Sequence, residues 1–361
     1  MNQAQKLHDF GQSLWLDNMT RGLLDSGTLQ KYIDEFAITG LTSNPTIFEH
    51  AIGGSQMYDD DISKKIAEGK SGEALFFDLA LDDLTAAADL FRPVFDRTAG
   101  VDGWVSLEVS PLLAHDTNAS IAQAKNLHSR ANRRNLFIKI PGTPQGIPAI
   151  EEAIFAGVPI NVTLLFSVEQ YIAAADAYLR GIERRIAAGL NPNVASAASI
   201  FVSRWDVAVK DKVPAALNNQ LGIAVCKSAY KIYCELMASP RWQRCFNAGA
   251  RPQRLLVAST GTKDPQASDV LYINALAAPL TINTMPEKTL MAFADHGSVS
   301  ESLRPDGGDS EKILKQFAQA GIDINALAAK LQDEGASAFV KSWTALMQVI
   351  KTKSDTLKKT A

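Results

Sequence analysis

Cysteine is scarce in this chain of 361 residues. Cys226, Cys234 and Cys245 are odd in number and show no CxxC spacing, which argues against a disulfide framework and fits a reducing cytosol. Histidine is nearly as rare. His8, His50, His115, His128 and His296 form no HxxxH or HxH pair, so no metal site is expected. An excess of one charge is missing too. Lys and Arg number 36 against 39 Asp and Glu, a net charge of −3, and no nucleic-acid or anionic-membrane partner is expected. No apolar run reaches transmembrane length. Met1 to Phe10 is polar and lacks the apolar stretch of a signal peptide, so the expected location is cytoplasmic. What the chain does have is apolar substance: 46% hydrophobic residues, enough for a large core in two domains or in one barrel with additions.

Strand and helix signals alternate along the sequence. Apolar residues at a period of two predict strands at 13–17, 37–43, 104–109, 135–142, 158–165, 195–202, 254–259 and 280–284. Helical spacing fills the intervals. A helix runs to about Phe36, and Gly53-Gly54 opens a helical insertion over 53–97 whose Asp59-Asp60-Asp61 is a solvated helix start. Further helices are predicted at 118–131, from Thr143 as cap to Phe155, at 168–188, between Trp205 and Met237 with breaks near Pro214 and Gly222, and at 269–277. A helical extension over 287–361 ends the chain. Its apolar stripe of Phe339, Val340, Trp343, Leu346, Met347 and Ile350 reads as packing, and Lys351, Lys353, Lys358 and Lys359 read as a solvated, frayed end. Eight strand–helix repeats predict one α/β domain over 1–361, a (β/α)8 TIM barrel with a helical insertion after strand 2 and a C-terminal helical extension. The competing open sheet lacks its GxGxxG turn after the first strand.

Barrel chemistry sits at the C-terminal ends of the strands. There Asn135-Leu136-Phe137-Ile138-Lys139-Ile140-Pro141-Gly142 places an amine in an apolar strand. Either Lys139 ends an exposed strand with its head in water, or it is buried, its pKa falls, and it is a nucleophile for carbonyls through a Schiff base. Other strand ends in the same inward phase carry Asp17, Asn44, Glu108 and Thr163, with Thr42, Ser106 and Asn161 two residues earlier. Asp17 and Glu108 each read alternatively as caps of the following helices. Polar side chains recurring at one height in successive strands are hard to explain as packing, and neighbouring opposite charges offset one another's desolvation. Loops after later strands carry Arg204 and the turn Ser259-Thr260-Gly261-Thr262-Lys263, hydroxyls and cations that suit a phosphate.

These segments together resemble the transaldolase family. Gly40-Leu41-Thr42-Ser43-Asn44-Pro45-Thr46-Ile47-Phe48 is similar to its first signature, Leu136 to Gly146 to the segment around its Schiff-base lysine, and Asn161-Val162-Thr163-Leu164-Leu165-Phe166-Ser167 to the strand that follows. Ile282-Asn283-Thr284-Met285-Pro286 resembles the longer bacterial branch, and the resemblance spans about residues 10–350. It implies a sugar-phosphate enzyme that needs no cofactor, monomer or homodimer, in which Lys139 is the nucleophile and Asp17 the acid and base at the substrate's C4 hydroxyl. It implies that Glu108 and Thr163 hold a proton-relay water, that Asn44 and Ser199 touch substrate hydroxyls, and that Arg204 and Ser259 hold phosphate. Shorter members carry an arginine after the seventh strand. Here that turn reads Thr260-Gly261-Thr262-Lys263, which makes Lys263 the candidate second phosphate cation. Two alternatives accompany the transaldolase reading: a fructose-6-phosphate aldolase-like enzyme, and a non-catalytic sugar-phosphate-binding barrel in which Lys139 is only a counter-ion.

Overall fold

The computed structural model describes residues 2–299 and 301–360; positions 1, 300 and 361 of the expected domain lie outside them. Eight parallel strands close into a barrel in chain order: β1 (Ser13–Asp17), β2 (Ile38–Thr42), β3 (Trp104–Glu108), β4 (Leu136–Pro141), β5 (Ile160–Leu165), β6 (Ser196–Phe201), β7 (Gln253–Ala258) and β8 (Ile282–Met285). The barrel closes where Ser13 to Leu16 pair in parallel with Ile282 to Met285. Helices follow every strand, as the alternation of periods predicts. Among the described residues no helix is long and apolar enough to cross a membrane.

The inward side chains form two kinds of layer. Near the N-terminal end, Trp15, Trp104 and Phe137 meet across the barrel, with ring centroids 4.1 Å apart for Trp104–Phe137 and 6.0 Å for Trp15–Phe137. Gly40 of β2 leaves them room, since a Cβ there would lie 2.6 Å from the Trp104 carbonyl oxygen and 2.7 Å from the Trp15 ring. Two and four residues further along the same phase the layers turn polar, with Asp17 opposite Thr42, Thr42 opposite Ser106, and Glu108 opposite Lys139. The aromatic layer supplies apolar burial, and the polar layers lie toward the end where barrel chemistry occurs.

Several helices differ from expectation, each for a local reason. The stretch after β1 is two helices, Arg21–Asp25 and Thr28–Phe36, split at Gly27 with φ +73°. The insertion does not open at Gly53-Gly54. A helix, Pro45–Gly53, starts directly after β2, because the Asn44 side chain accepts from the Ile47 N–H at 3.1 Å and proline suits the first helical position. Gly54 ends that helix, and Asp59–Ala67 and Gly72–Arg97 follow. Nor does Gly222 break a helix: it lies in the first turn of Leu221–Ala238, where a Cβ would come within 2.3 Å of the Val202 carbonyl oxygen. Glu287–His296 packs on β1 and on the N-terminal helix Gln3–Asp9, which sequence reasoning missed, and so completes the helical ring. The extension beyond it comprises Ser310–Gln319 and Ile324–Thr360. Lys353 in that last helix is not solvated. It pairs with Asp59 and donates to the Ser55 carbonyl oxygen at 2.6 Å, tying the tail to the insertion.

Asp206, in the helix Ser203–Val209 that follows β6, ties together Leu221–Ala238 and the short helix Leu271–Ala275. Its Oδ1 accepts from the N–H groups of Leu221 and Gly222 at 2.9 and 3.3 Å, and its Oδ2 accepts from the Tyr272 hydroxyl at 2.8 Å. Burial outweighs these bonds and pushes its carboxyl up to about 6. The folded chain therefore holds this proton more tightly than the unfolded chain, with its ordinary value of 3.8. The resulting stability is full below about pH 4, fades through about pH 6, and is absent above. The span corresponds to about 3 kcal/mol. Asp206→Asn is expected to remove that slope while keeping an acceptor for the two N–H groups. Denaturant titrations at about pH 4.5 and 7.5 check this; equal pH slopes in both proteins would refute it.

Candidate active site

A cavity of about 230 Å³ opens at the C-terminal ends of the strands. Asp17, Asn44, Lys139, Thr163, Ser199, Arg204 and Ser259 line it, seven of the nine residues expected from sequence. Glu108 lies buried beside the cavity, in contact with Lys139, and Lys263 stands exposed outside the lining. A larger cavity, about 440 Å³, lies at the opposite end among Phe95, Trp104, Arg134 and Arg251. It holds no amine–carboxylate pair, and the barrel's reactive end is the other one.

Lys139 is 5% exposed, so its head does not stand in water. Its Nζ donates to Oε2 of Glu108 at 3.2 Å and to the Ser43 carbonyl oxygen at 3.1 Å. The contact with Glu108 follows from register, since the two residues are direct partners across β3 and β4. Burial pushes the Glu108 carboxyl above its ordinary range, against the pull of Lys139, and the charge of Asp17 adds to the rise. Asp17 is raised for the same reason, opposed by Lys139, by its bond from Thr42 and by Lys263. Thr42 Oγ1 donates to Asp17 Oδ1 at 2.8 Å and stands 2.8 Å from Thr284 Oγ1, so hydroxyls from β2 and β8 steady the acid on β1. Neither carboxylate serves as a helix cap; Thr20 and Asp116 cap the next α-helices.

The neighbouring polar residues form a braced layer. Ser199 Oγ donates to Asn161 Oδ1 at 2.7 Å, and Asn161 Nδ2 donates to Ser106 Oγ at 3.3 Å. Among the described residues, two buried oxygens nearby, Oε1 of Glu108 and Oγ1 of Thr163, have no hydrogen-bond partner. Such atoms are uncommon in interiors and concentrate where a ligand or reacting group is handled.

The other wall is cationic. Arg204 makes no hydrogen bond or ion pair with any described residue, lies 5.5 Å from the centroid of the Phe201 ring, and is held below its ordinary value by burial, with Glu334 opposing. Ser259, at φ +59°, turns its Oγ to within 2.8 Å of Ser203 Oγ, which joins the turn after β7 to the start of the helix after β6. A guanidinium with no hydrogen-bond or ion-pair partner among the described residues, beside hydroxyls, is chemistry for an oxyanion.

Several lining residues escaped the sequence reading, among them Thr284, Phe201 and Phe339. Thr284 was findable, because it ends β8 in the inward phase. Phe201 carried no polar signal. Phe339 belongs to the stripe read as packing and reaches the cavity only because the last helix crosses the mouth.

Comparison with known proteins agrees with this geometry. The family profile described as Transaldolase/Fructose-6-phosphate aldolase matches residues 14–350. A protein of Thiobacillus denitrificans named Transaldolase is 42% identical, over 97% of this chain and 100% of its own length. One of Saccharopolyspora erythraea with the same name is 41% identical over 99% of both. Transaldolase 2 of Nostoc punctiforme is 39% identical over 98% of this chain and 97% of its own. The chain thus belongs to the transaldolase/fructose-6-phosphate aldolase family, a family of enzymes that work through a Schiff base.

Proposed function

We propose that this enzyme is a transaldolase of the non-oxidative pentose phosphate pathway. It moves a dihydroxyacetone unit from a ketose phosphate, sedoheptulose 7-phosphate or fructose 6-phosphate, to an aldose phosphate, glyceraldehyde 3-phosphate or erythrose 4-phosphate. A cytoplasmic location is part of this reading, supported by three unpaired cysteines. The observation that carries the chemistry is Lys139 Nζ, buried and 3.2 Å from Glu108 Oε2 at the mouth of a closed barrel.

In that pair Oε2 of Glu108, 3.2 Å from Nζ, is placed to accept the Lys139 proton. The free amine adds to the C2 ketone. Glu108, through a water shared with Thr163, returns a proton to the carbinolamine oxygen, which leaves as water. The protonated imine draws the electron pair of the C3–C4 bond as Asp17 takes the C4 hydroxyl proton. The first aldose phosphate departs, and an enamine of three carbons stays on Lys139. Its C3 attacks the aldehyde of the second aldose phosphate, Asp17 returns the proton to the new hydroxyl, and hydrolysis of the imine frees the new ketose. Asp17 acts first as base and then as acid, which suits a carboxyl raised toward the working pH. Asn44 and Ser199 contact substrate hydroxyls, while Arg204 and Ser259 hold phosphate, with Lys263 at the rim as the second cation.

The aldolase alternative uses the same chemistry and ends with water as acceptor. Three relatives named transaldolase at about 40% identity support the transferase reading. Initial rates with a ketose phosphate, with and without acceptor aldose, test it: turnover should depend on the acceptor, and equal rates would favour the aldolase.

Arg204→Ala is expected to raise KM for phosphorylated donors by roughly 10²-fold, as loss of a charge-assisted contact of about 3 kcal/mol would. Unphosphorylated dihydroxyacetone donors should change little. Equal losses for both donor types would contradict a phosphate role.

A further inference from the structure

The last helix, Ile324–Thr360, is built into the mouth of the barrel. Gln332 Nε2 donates to the carbonyl oxygens of Gly142 at 3.0 Å and Leu164 at 2.9 Å, which sit just past Lys139 on β4 and Thr163 on β5. Three residues on, Gly335 makes a close approach: a Cβ there would lie 2.9 Å from Leu164 Cδ2 and 3.2 Å from Arg204 Nη1. Four residues further, Phe339 is 7% exposed and shares the cavity with Lys139, Asp17 and Arg204. Residues 332, 335 and 339 follow helical spacing, so one face of the helix carries the clasp, the close contact and the ring. Thr46 Oγ1 donates to Ser342 Oγ at 2.8 Å, anchoring the same helix beside Ile47, another lining residue.

The proposed reaction makes one unusual demand. After the first aldose leaves, the enamine on Lys139 waits for a second substrate. During that wait a proton can reach C3 from water or from the Asp17 carboxyl. Water then adds across the iminium carbon, the C–N bond breaks, and free dihydroxyacetone departs from a regenerated amine. Suppressing this route requires keeping bulk water, beyond the one shared by Glu108 and Thr163, away from the enamine while it waits. Phe339 is the apolar lining residue supplied from outside the barrel, held there by the Gln332 clasp.

We infer that Phe339 is a specificity-determining residue that sets how the three-carbon unit on Lys139 divides between acceptor aldose and water. The inference rests on the transaldolase reading above. The readout is a ratio, dihydroxyacetone released per dihydroxyacetone transferred, measured on the whole protein with fructose 6-phosphate as donor and varied erythrose 4-phosphate as acceptor.

Phe339→Ala is expected to raise that ratio by about tenfold or more, the change that about 1.4 kcal/mol in relative barrier produces. Phe339→Leu, still apolar, should stay near the wild-type ratio. Phe339→Gln keeps helix propensity and length but brings a polar group, and should raise the ratio even if the alanine variant does not fold. An unchanged ratio in both the alanine and glutamine variants would overturn the inference, as would a leucine variant as leaky as glutamine. Borohydride trapping on the wild type separates the two levels of the argument. A three-carbon adduct on wild-type Lys139 with unchanged ratios in the variants rejects the role of Phe339 alone. No adduct on the wild type rejects the Schiff-base reading, and the inference with it.

Discussion

Lys139→Ala is expected to abolish the covalent adduct and to lower turnover by about 10⁵-fold or more, on the scale seen when a covalent nucleophile is removed. No other group in the cavity can replace it. The remaining polar lining side chains carry carboxylate, amide, hydroxyl and guanidinium groups, and the exposed amine of Lys263 stands outside the lining. The clean measurement is intact mass after borohydride reduction with fructose 6-phosphate: wild type gains the three-carbon unit, and the variant gains nothing. The substitution also leaves Glu108 without its ion-pair partner, so the variant's fold is checked by its unfolding transition. A folded variant that still gains sugar mass would move the nucleophile elsewhere.

The second large effect separates the two carboxylates. They occupy different strands, Asp17 at the end of β1 and Glu108 at the end of β3, and only Glu108 touches the amine. Asp17→Asn keeps size and loses the base, so the imine should form while the C3–C4 bond stays intact. Borohydride should then trap the whole ketose on Lys139. Turnover should fall by about 10²–10⁴, roughly 3–5 kcal/mol. Glu108→Gln should instead slow the appearance of any adduct and leave the mass of the trapped species unchanged. Finding chiefly the three-carbon adduct on Asp17→Asn would show that cleavage does not need this carboxylate. The assignment would then fall even with Lys139 in place. The direction of the Asp17 shift adds a pH test. Because its carboxyl is raised, the base form is lost on acidification at a higher pH than for an ordinary aspartate. The acid limb of the cleavage rate should therefore lie higher, and Asp17→Asn should remove it.

The barrel and most of its site were legible in the sequence because both rest on period and phase, which are local properties of a strand. Trp15 and Asp17, Trp104 and Glu108, Phe137 and Lys139 alternate inward within their own strands, so the inward face reads from apolar to polar in each. Strand ends place Asp17, Glu108, Lys139 and Thr163 at one rim once eight repeats imply closure. Helix boundaries beside glycine were less legible. Gly53 read as the opening of the insertion and Gly222 as a break, but Gly53 ends a helix capped nine residues earlier by Asn44, and Gly222 lies in a helix's first turn in contact with Val202. Lys353 looked solvated because its partner Asp59 lies 294 residues away. Phe339 looked like packing for the same reason: an apolar residue on an amphipathic helix carries no local mark of what it covers. Whether it faces a helix or an active-site cavity depends on where the whole helix docks. That is settled by the Gln332 bonds to Gly142 and Leu164, by the absent side chain at Gly335, and by Lys353 on the insertion. Periodicity is carried within a few residues, whereas docking depends on shape and hydrogen-bond matches between segments far apart in the chain, and only the folded structure brings those segments together.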